Sequence, residues 1–278
     1  MMRRAEEAIV RRKTTKRHIR AGTAIETDGR ILVINPDLLL YVGLHGSPSE
    51  RTFGALTLYF PFDHPLSVQL NDEPWQQCSH AVVPPYVPHR VTTTDKLYCV
   101  LMVETENIDI AALLQKFEGE EGDAVVARIG ERIHALLGRL NTGDRHGELP
   151  ESGLEALFFD IPLPRRNLDP RIRKVVGRIN RHPDENFSAQ DCAREVALSP
   201  SRFIHLFNTE LGVTLRSFKL WKRARNFLGY VTHPSNLTDL ALDIGYPDAT
   251  YFSHSIRRIY GLKPKDIFAG SRRLRLYS

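Results

Sequence analysis

TYFSHSIRRIYG, residues 250–261, lies 49 residues after SRFIHLFNTELG, residues 201–212, and repeats its pattern. Phe203 aligns with Phe252, His205 with His254, Phe207 with Ile256 and Gly212 with Gly261. Repetition on this scale marks a structural unit used twice. Phe203, Leu206 and Phe207 form one helical stripe, and Phe252, Ile256 and Ile259 form its counterpart. Opposite them, Ser201, Ile204, His205 and Asn208 occupy positions i, i+3, i+4 and i+7, as do Thr250, Ser253, His254 and Arg257. Each stretch is therefore expected to be a helix with one buried and one outward face.

The residues upstream complete each unit. Ser188 and Asp191 have capping-box spacing before a helix carrying Ala193 and Val196. A turn follows near Ala197–Ser199, and Pro200 opens the next helix. In the second unit, Asn236 can cap a helix holding Leu237, Leu240, Ala241 and Ile244. Gly245 supplies the turn and Asp248 the next cap. Two helices joined by a short turn make a helix-turn-helix, and the sequence predicts two. The outward side chains of each second helix suit base edges in a major groove, with Ile204 placed to meet a thymine methyl group. A long helix, 214–232, separates the units and carries Arg216, Lys219, Lys222, Arg223 and Arg225. Arg202, Lys222, Arg258 and Lys263 are the candidates for phosphate contact, which fixes position rather than sequence preference.

Charge divides the chain in the same way. Lys plus Arg minus Asp plus Glu is 9 − 4 = +5 over residues 1–30, 8 − 19 = −11 over 31–164, and 21 − 10 = +11 over 165–278. An acidic middle beside a basic C-terminal third is expected when only one domain binds a polyanion. Cys78, Cys99 and Cys192 show no metal spacing and read as reduced thiols of a cytoplasmic protein. The first thirty residues read as a basic arm, either solvated or touching DNA, and not as a secretory signal. No apolar run is long enough to cross a membrane.

Residues 31–103 alternate short apolar runs (ILVI, LLLYVGL, ALTLYF, SVQL, LYCVLMV) with Pro-, Gly- and Asn-rich breaks, which predicts an all-β barrel or sandwich. Helical periodicity follows over 108–117 and 123–141. In the longer stretch Val126, Ile129, Ile133, Leu136 and Leu140 alternate by three and four. That spacing suits a dimer seam, and equally a helix packed on its own β-domain.

The C-terminal residues resemble the AraC/XylS family of bacterial transcription regulators. LALDIGYPDATYFSHSIRRIYGLKP carries the family's pattern at Ala241, Gly245, Asp248, Tyr251, Phe252, Ser253, Gly261 and Pro264, and the likeness runs from Pro170 to about Phe268. His254 and His205 stand where the family usually has arginine, and Leu215 where it often has proline. A neutral imidazole cannot fork onto guanine as a guanidinium does, so the family's usual base preference is not carried over. The resemblance implies promoter DNA and RNA polymerase as partners. It also implies an N-terminal cupin-like β-barrel that takes a small effector and dimerises through appended helices.

The expected class is α+β, with a cupin-like β-barrel and appended helices before an all-α domain. The expected boundaries are a basic arm (1–30), barrel (31–107), helical dimerisation segment (108–160), linker (161–169), DNA-binding domain (170–270) and basic tail (271–278). His80, Tyr86 and His89 are the candidate effector contacts. A barrel also raises a metal enzyme as an alternative, but His80, His89 and Glu104 lack the spacing of a convergent ligand set. No catalytic group, metal or cofactor is expected. Membrane or RNA binding by the basic domain is a further alternative, which the paired recognition faces disfavour.

Overall fold

The computed structural model describes residues 30–44, 48–141, 153–160, 162–233, 236–271 and 274–277. Residues 1–29 of the expected arm lie outside them. The chain forms two compact units: residues 1–165 with 270–278, and residues 166–269. The second is thus an insertion in the first.

The first unit contains strands β1 (Arg30–Ile34), β2 (Leu38–Leu44), β3 (Leu56–Phe60), β4 (Leu66–Leu70), β5 (Gln76–Cys78), β6 (Ala81–Val83), β7 (His89–Thr92) and β8 (Leu97–Val103). Helices α1 (Ile110–Gln115), α2 (Gly119–Asn141) and α3 (Gly153–Phe158) follow. The second unit contains α4 (Pro170–Arg181), α5 (Ala189–Glu195), α6 (Pro200–Leu211), α7 (Leu215–Phe227), α8 (Leu237–Asp243), α9 (Ala249–Tyr260) and most of α10 (Pro264–Gly270). A final strand, β9 (Leu274–Tyr277), belongs to the first unit.

The strands form two sheets, ordered β6-β3-β8-β2-β1-β9 and β5-β4-β7. Of the barrel or sandwich expected, the described strands form two sheets and do not close into one. The chain changes sheets between β5 and β6. Cys78 pairs with Leu66 in the small sheet, while Ala81 pairs with Tyr59 in the large one. An isolated bridge between Arg51 and His89 adds to the pairing of β7.

Strand alternation divides the larger sheet into two different faces. Ile31, Val33, Leu38, Leu40, Leu56, Leu58, Cys99, Leu101 and Val103 join a core with residues of α2. The intervening residues, including Tyr41, Tyr59 and Tyr98, occupy the other face, where Tyr59 stacks on Tyr98. Both faces of β8 are covered, so all seven of its residues are buried. The smaller sheet shows the alternation more plainly, with Leu66, Val68 and Leu70 buried and Ser67 and Gln69 partly exposed.

Helix α2 corrects the seam expectation. Val126, Ile129, Ile133 and Leu136 are buried in the core shared with the sheet, and Leu137 joins them. They do not form a free stripe for a partner helix. Each such side chain contributes roughly 1.5–3 kcal/mol by leaving water. Gly130 permits a close approach: a Cβ there would lie 2.8 Å from the Phe60 ring. The side chain of Leu140 lies outside the described residues.

Residues 274–277 of the expected basic tail form β9, which runs parallel to β1 with Leu274 opposite Arg30 and Leu276 opposite Leu32. The reason is the unpaired edge of β1, whose backbone donors and acceptors gain partners from the returning chain. The Arg30 guanidinium also donates to the Gly270 carbonyl at 2.6 Å.

Candidate nucleic-acid interface

The second unit is built by local capping and an aromatic core. Ser188 accepts from the Asp191 amide while Asp191 accepts from the Ser188 amide, closing a capping box on α5. Ser199 caps α6, Thr214 caps α7, Asn236 caps α8 and Asp248 caps α9. Gly212 and Gly261 end α6 and α9 in the left-handed region, at φ 72° and 71°. Phe203, Phe207 and Phe218 meet in ring contacts in the first half, as do Phe227, Phe252 and Tyr246 in the second.

The two helix-turn-helix motifs are near copies with one difference. Both first helices end in a left-handed residue: Ala197 at φ 53° and Gly245 at φ 84°. The following amides of Leu198 and Tyr246 return to the carbonyls of Ala193 and Ala241. The turn then reaches the cap at Ser199 in the first copy, but passes Pro247 before Asp248 in the second. The second turn is one residue longer. Gly245 is constrained by packing as well as by φ, since a Cβ would lie 1.9 Å from the Asp184 carbonyl oxygen.

Helices α6 and α9 present the expected polar faces. On α9, Thr250, His254, Arg257 and Arg258 are exposed and Ser253 is partly so, while Phe252, Ile256 and Ile259 are buried. On α6, Ser201, Arg202 and His205 are exposed, opposite buried Phe203 and Phe207. Ile204, expected on the outer face, is half-buried and packs against the helical core. Asn208 is also half-buried, with its Oδ1 shielded and lacking a hydrogen-bond partner. Lys263 is exposed. Among the described residues, Arg202, Arg257, Arg258 and Lys263 form no ion pair with a carboxylate, which leaves their charge available to an outside anion.

The basic residues of α7 are largely structural. Lys222, expected at phosphate, is only 5% exposed, and its ammonium lies 5.3 Å from the Phe218 ring centroid. Its aliphatic stem is drawn into the core, so the expectation of phosphate contact is corrected. Arg223 donates to the carbonyls of Pro183 and Glu185, both at 3.0 Å. Lys219 donates to Asn186 Oδ1 and the Phe187 carbonyl. Arg178 lies 3.7 Å over the Phe187 ring. These contacts anchor the segment before α5. Sequence spacing carried no signal for them, since a lysine stem in a core and a solvated lysine share the same helical pattern.

Each effector candidate of the first unit has its own protein neighbours. His89 is 1% exposed and belongs to β7. Its Nδ1 donates to the Val87 carbonyl at 2.8 Å, which leaves Nε2 to accept from the Tyr59 hydroxyl at 2.6 Å. Burial lowers its pKa from 6.5 to about 3, with nearby Arg51 adding to the effect. His80 instead faces Asp123 of α2 at 4.0 Å. Tyr86 has φ 63°, and burial, with Glu104 and Glu106 nearby, raises its hydroxyl pKa well above the usual value. No group of three or more metal-ligating side chains occurs among the described residues. Sequence reading missed Arg51, which is 1% exposed beside the Tyr59–His89 pair. No described helix is long and apolar enough to cross a membrane.

Residues 192–270 match the family model described as a helix-turn-helix domain. The chain is 32% identical over 121 residues to the arabinose operon regulatory protein of Escherichia coli K12, covering 42% of this chain and 40% of that protein. It is 31% identical over 107 residues to the protein of that name from Salmonella typhimurium, covering 37% of each. The matches thus span about two fifths of these relatives. The crystal structure of ToxT from Vibrio cholerae O395 has the same overall fold, with a TM-score of 0.54, 10% identity, and coverage of 86% of this chain and all of that one. The chain thus carries a helix-turn-helix domain, and its likeness to the two arabinose operon regulatory proteins agrees with the AraC/XylS resemblance.

Proposed function

We propose that this chain is a transcription regulator that reads double-stranded promoter DNA with α6 and α9. The observation that carries this reading is the repeated helix-turn-helix. Each copy buries an aromatic stripe and turns exposed polar groups outward, in a part of the chain with net charge +11 over residues 165–278. Ser201 and His205 on α6, and Thr250, Ser253, His254 and Arg257 on α9, supply the base contacts. Ile204 and Asn208 contribute at the edge of that surface through their uncovered atoms. Arg202, Arg258 and Lys263 supply phosphate contacts. One chain carries both recognition helices, so the reading needs no dimer.

The sheet-rich unit is the regulatory part of this proposal, where a small effector binds. The fold likeness to ToxT, which pairs a sheet-rich part with a helical one, supports the division of labour. The helical periodicity and polar faces support DNA over a membrane surface, because a membrane-binding helix would expose its large apolar side chains.

The test measures binding to the DNA upstream of the gene and to a scrambled duplex of equal length, across a salt series. Tighter binding to the upstream DNA, with affinity falling steeply as salt rises, is expected. Arg258→Ala should weaken binding to both duplexes alike and reduce the slope of log affinity against log salt by about one. Equal, weak binding to both by the unaltered protein would refute recognition of that DNA. A change in preference at a single base pair would move Arg258 from phosphate to base.

A further inference from the structure

Arg51 is a buried charge without a countercharge among the described residues. It is 1% exposed in the interior of the first unit. Its Nη1 donates to the Tyr98 hydroxyl at 2.9 Å, and its Nε makes a long 3.5 Å contact with the Ser49 carbonyl. Its Nη2 is buried and has no hydrogen-bond partner. Among the described residues no carboxylate forms an ion pair with it. The titratable groups around it are the phenols of Tyr98 and Tyr59 and the imidazole of His89. Burial raises the Tyr59 pKa well above its ordinary value and lowers that of His89 to about 3, so both are neutral near pH 7. The buried acids Glu104 and Glu106 act on Tyr86, and Glu104 lies six residues from Tyr98 along the β8 strand and its end. That separation is roughly 20 Å in extended chain.

A guanidinium stays protonated in a protein, so this charge cannot be relieved by losing a proton. Burial of an unpaired charge is strongly unfavourable, and folded proteins pair such charges with an anion. We infer that Arg51 is the anchor for the carboxylate of a small ligand held between the two sheets of the first unit. The inference rests on the reading of that unit as regulatory, and it adds the chemical class of the effector.

The surroundings define the class further. Phe53 and Tyr59 lie edge-on to His89, each with ring centroids 5.6 Å away, and Tyr59 stacks on Tyr98 at 5.9 Å. Aromatic walls with one cation suit an apolar body bearing one negative charge. A doubly charged phosphate would leave a net negative charge buried there. The planar guanidinium matches a carboxylate through paired N–H groups, with Nη2 supplying the unused donors. The Tyr98 hydroxyl, already on Nη1, holds the plane of the fork.

Thermal unfolding of the full-length protein tests this with benzoate, hexanoate and acetate, each beside its primary amide. At least one acid should raise the unfolding temperature in a saturable way while its amide does not. Arg51→Met should weaken that response by roughly thirtyfold or more in apparent Kd. Arg51→Lys keeps the charge without the fork and should respond at intermediate concentrations. It serves as the decisive variant if Arg51→Met does not fold. Equal effects of acid and amide, no effect of any of the acids, or an undiminished response in the folded variant would overturn the inference. DNA preference measured on the same ligand-free protein separates the two readings. Retained preference with no carboxylate response removes the anchor role alone, whereas lost preference with a carboxylate response removes the DNA reading and leaves the site.

Discussion

His89 couples the stability of the first unit to pH, and glutamine at that position should remove the coupling. The unfolded imidazole titrates near 6.5, while burial lowers the folded value to about 3. Between those values the unfolded chain binds more protons than the folded one, so acid favours unfolding. The contribution is fully present above pH 6.5 and declines as pH falls towards 3, by about 1.4 kcal/mol per pH unit. From pH 7.5 to 5.0 the expected loss is about 2 kcal/mol from this residue. The structural cause is specific: Nε2 accepts from Tyr59, so a proton placed there removes an acceptor and adds charge beside Arg51. The Gln side chain of His89→Gln retains an acceptor near Tyr59 but does not titrate. Urea unfolding of both proteins at pH 7.5, 6.5, 5.5 and 5.0, followed by a probe of the first unit, gives the two slopes. Asp95 and His134 also have lowered pKa values, and the comparison cancels their shared contribution. Parallel slopes would refute the argument, because His89 would then protonate at no cost to the fold.

Gly245→Ala should destabilise the second unit by more than the roughly 1–2 kcal/mol cost of a left-handed L-residue, because its Cβ also meets the Asp184 carbonyl; calorimetry of the full chain checks this. Ile133→Glu should unfold the first unit rather than convert a folded dimer to a folded monomer, since it places a charge at a fully buried position worth several kcal/mol. Circular dichroism with light scattering tells the outcomes apart, and a folded variant of lower mass would restore the seam. His205→Ala and His254→Ala should each weaken binding to the upstream DNA, by roughly 1–3 kcal/mol at the base pair contacted, while binding to the scrambled duplex stays unchanged. Equal losses on the two duplexes would count against that role.

Much of the helical domain was legible in the sequence because its determinants are local. Ser188, Asp191, Ser199, Asn236 and Asp248 cap helices only a few residues away. The apolar spacing of Phe203 and Phe207, or Phe252 and Ile256, carries the helical period directly. The sheet-rich region was legible as strands, but the choice between barrel and sandwich was not, because strand pairing links distant residues. Leu274 meets Arg30 across 244 positions, and nothing in LRLY distinguishes that strand from a solvated tail.

The recognition faces were also legible in outline, since exposure on an amphipathic helix follows from its opposite stripe. Ile204 and Asn208 departed because they lie at the border of the buried face, where neighbouring helices decide the exposure. Lys222 and the α2 stripe show the same limit. A basic side chain and a heptad-like pattern reveal that a surface exists, without revealing whether the chain itself already covers it.

The sequence by itself determined the two repeated helical units, their caps, their outward polar residues and the asymmetry of charge. These depend on contacts within a few turns and on side-chain chemistry. Only the tertiary structure decided that α2 spends its apolar stripe on its own sheet, that β9 returns to β1, and that Arg51 is enclosed with no carboxylate paired to it among the described residues. Those outcomes depend on which distant surfaces meet and exclude water, and no local period encodes that choice.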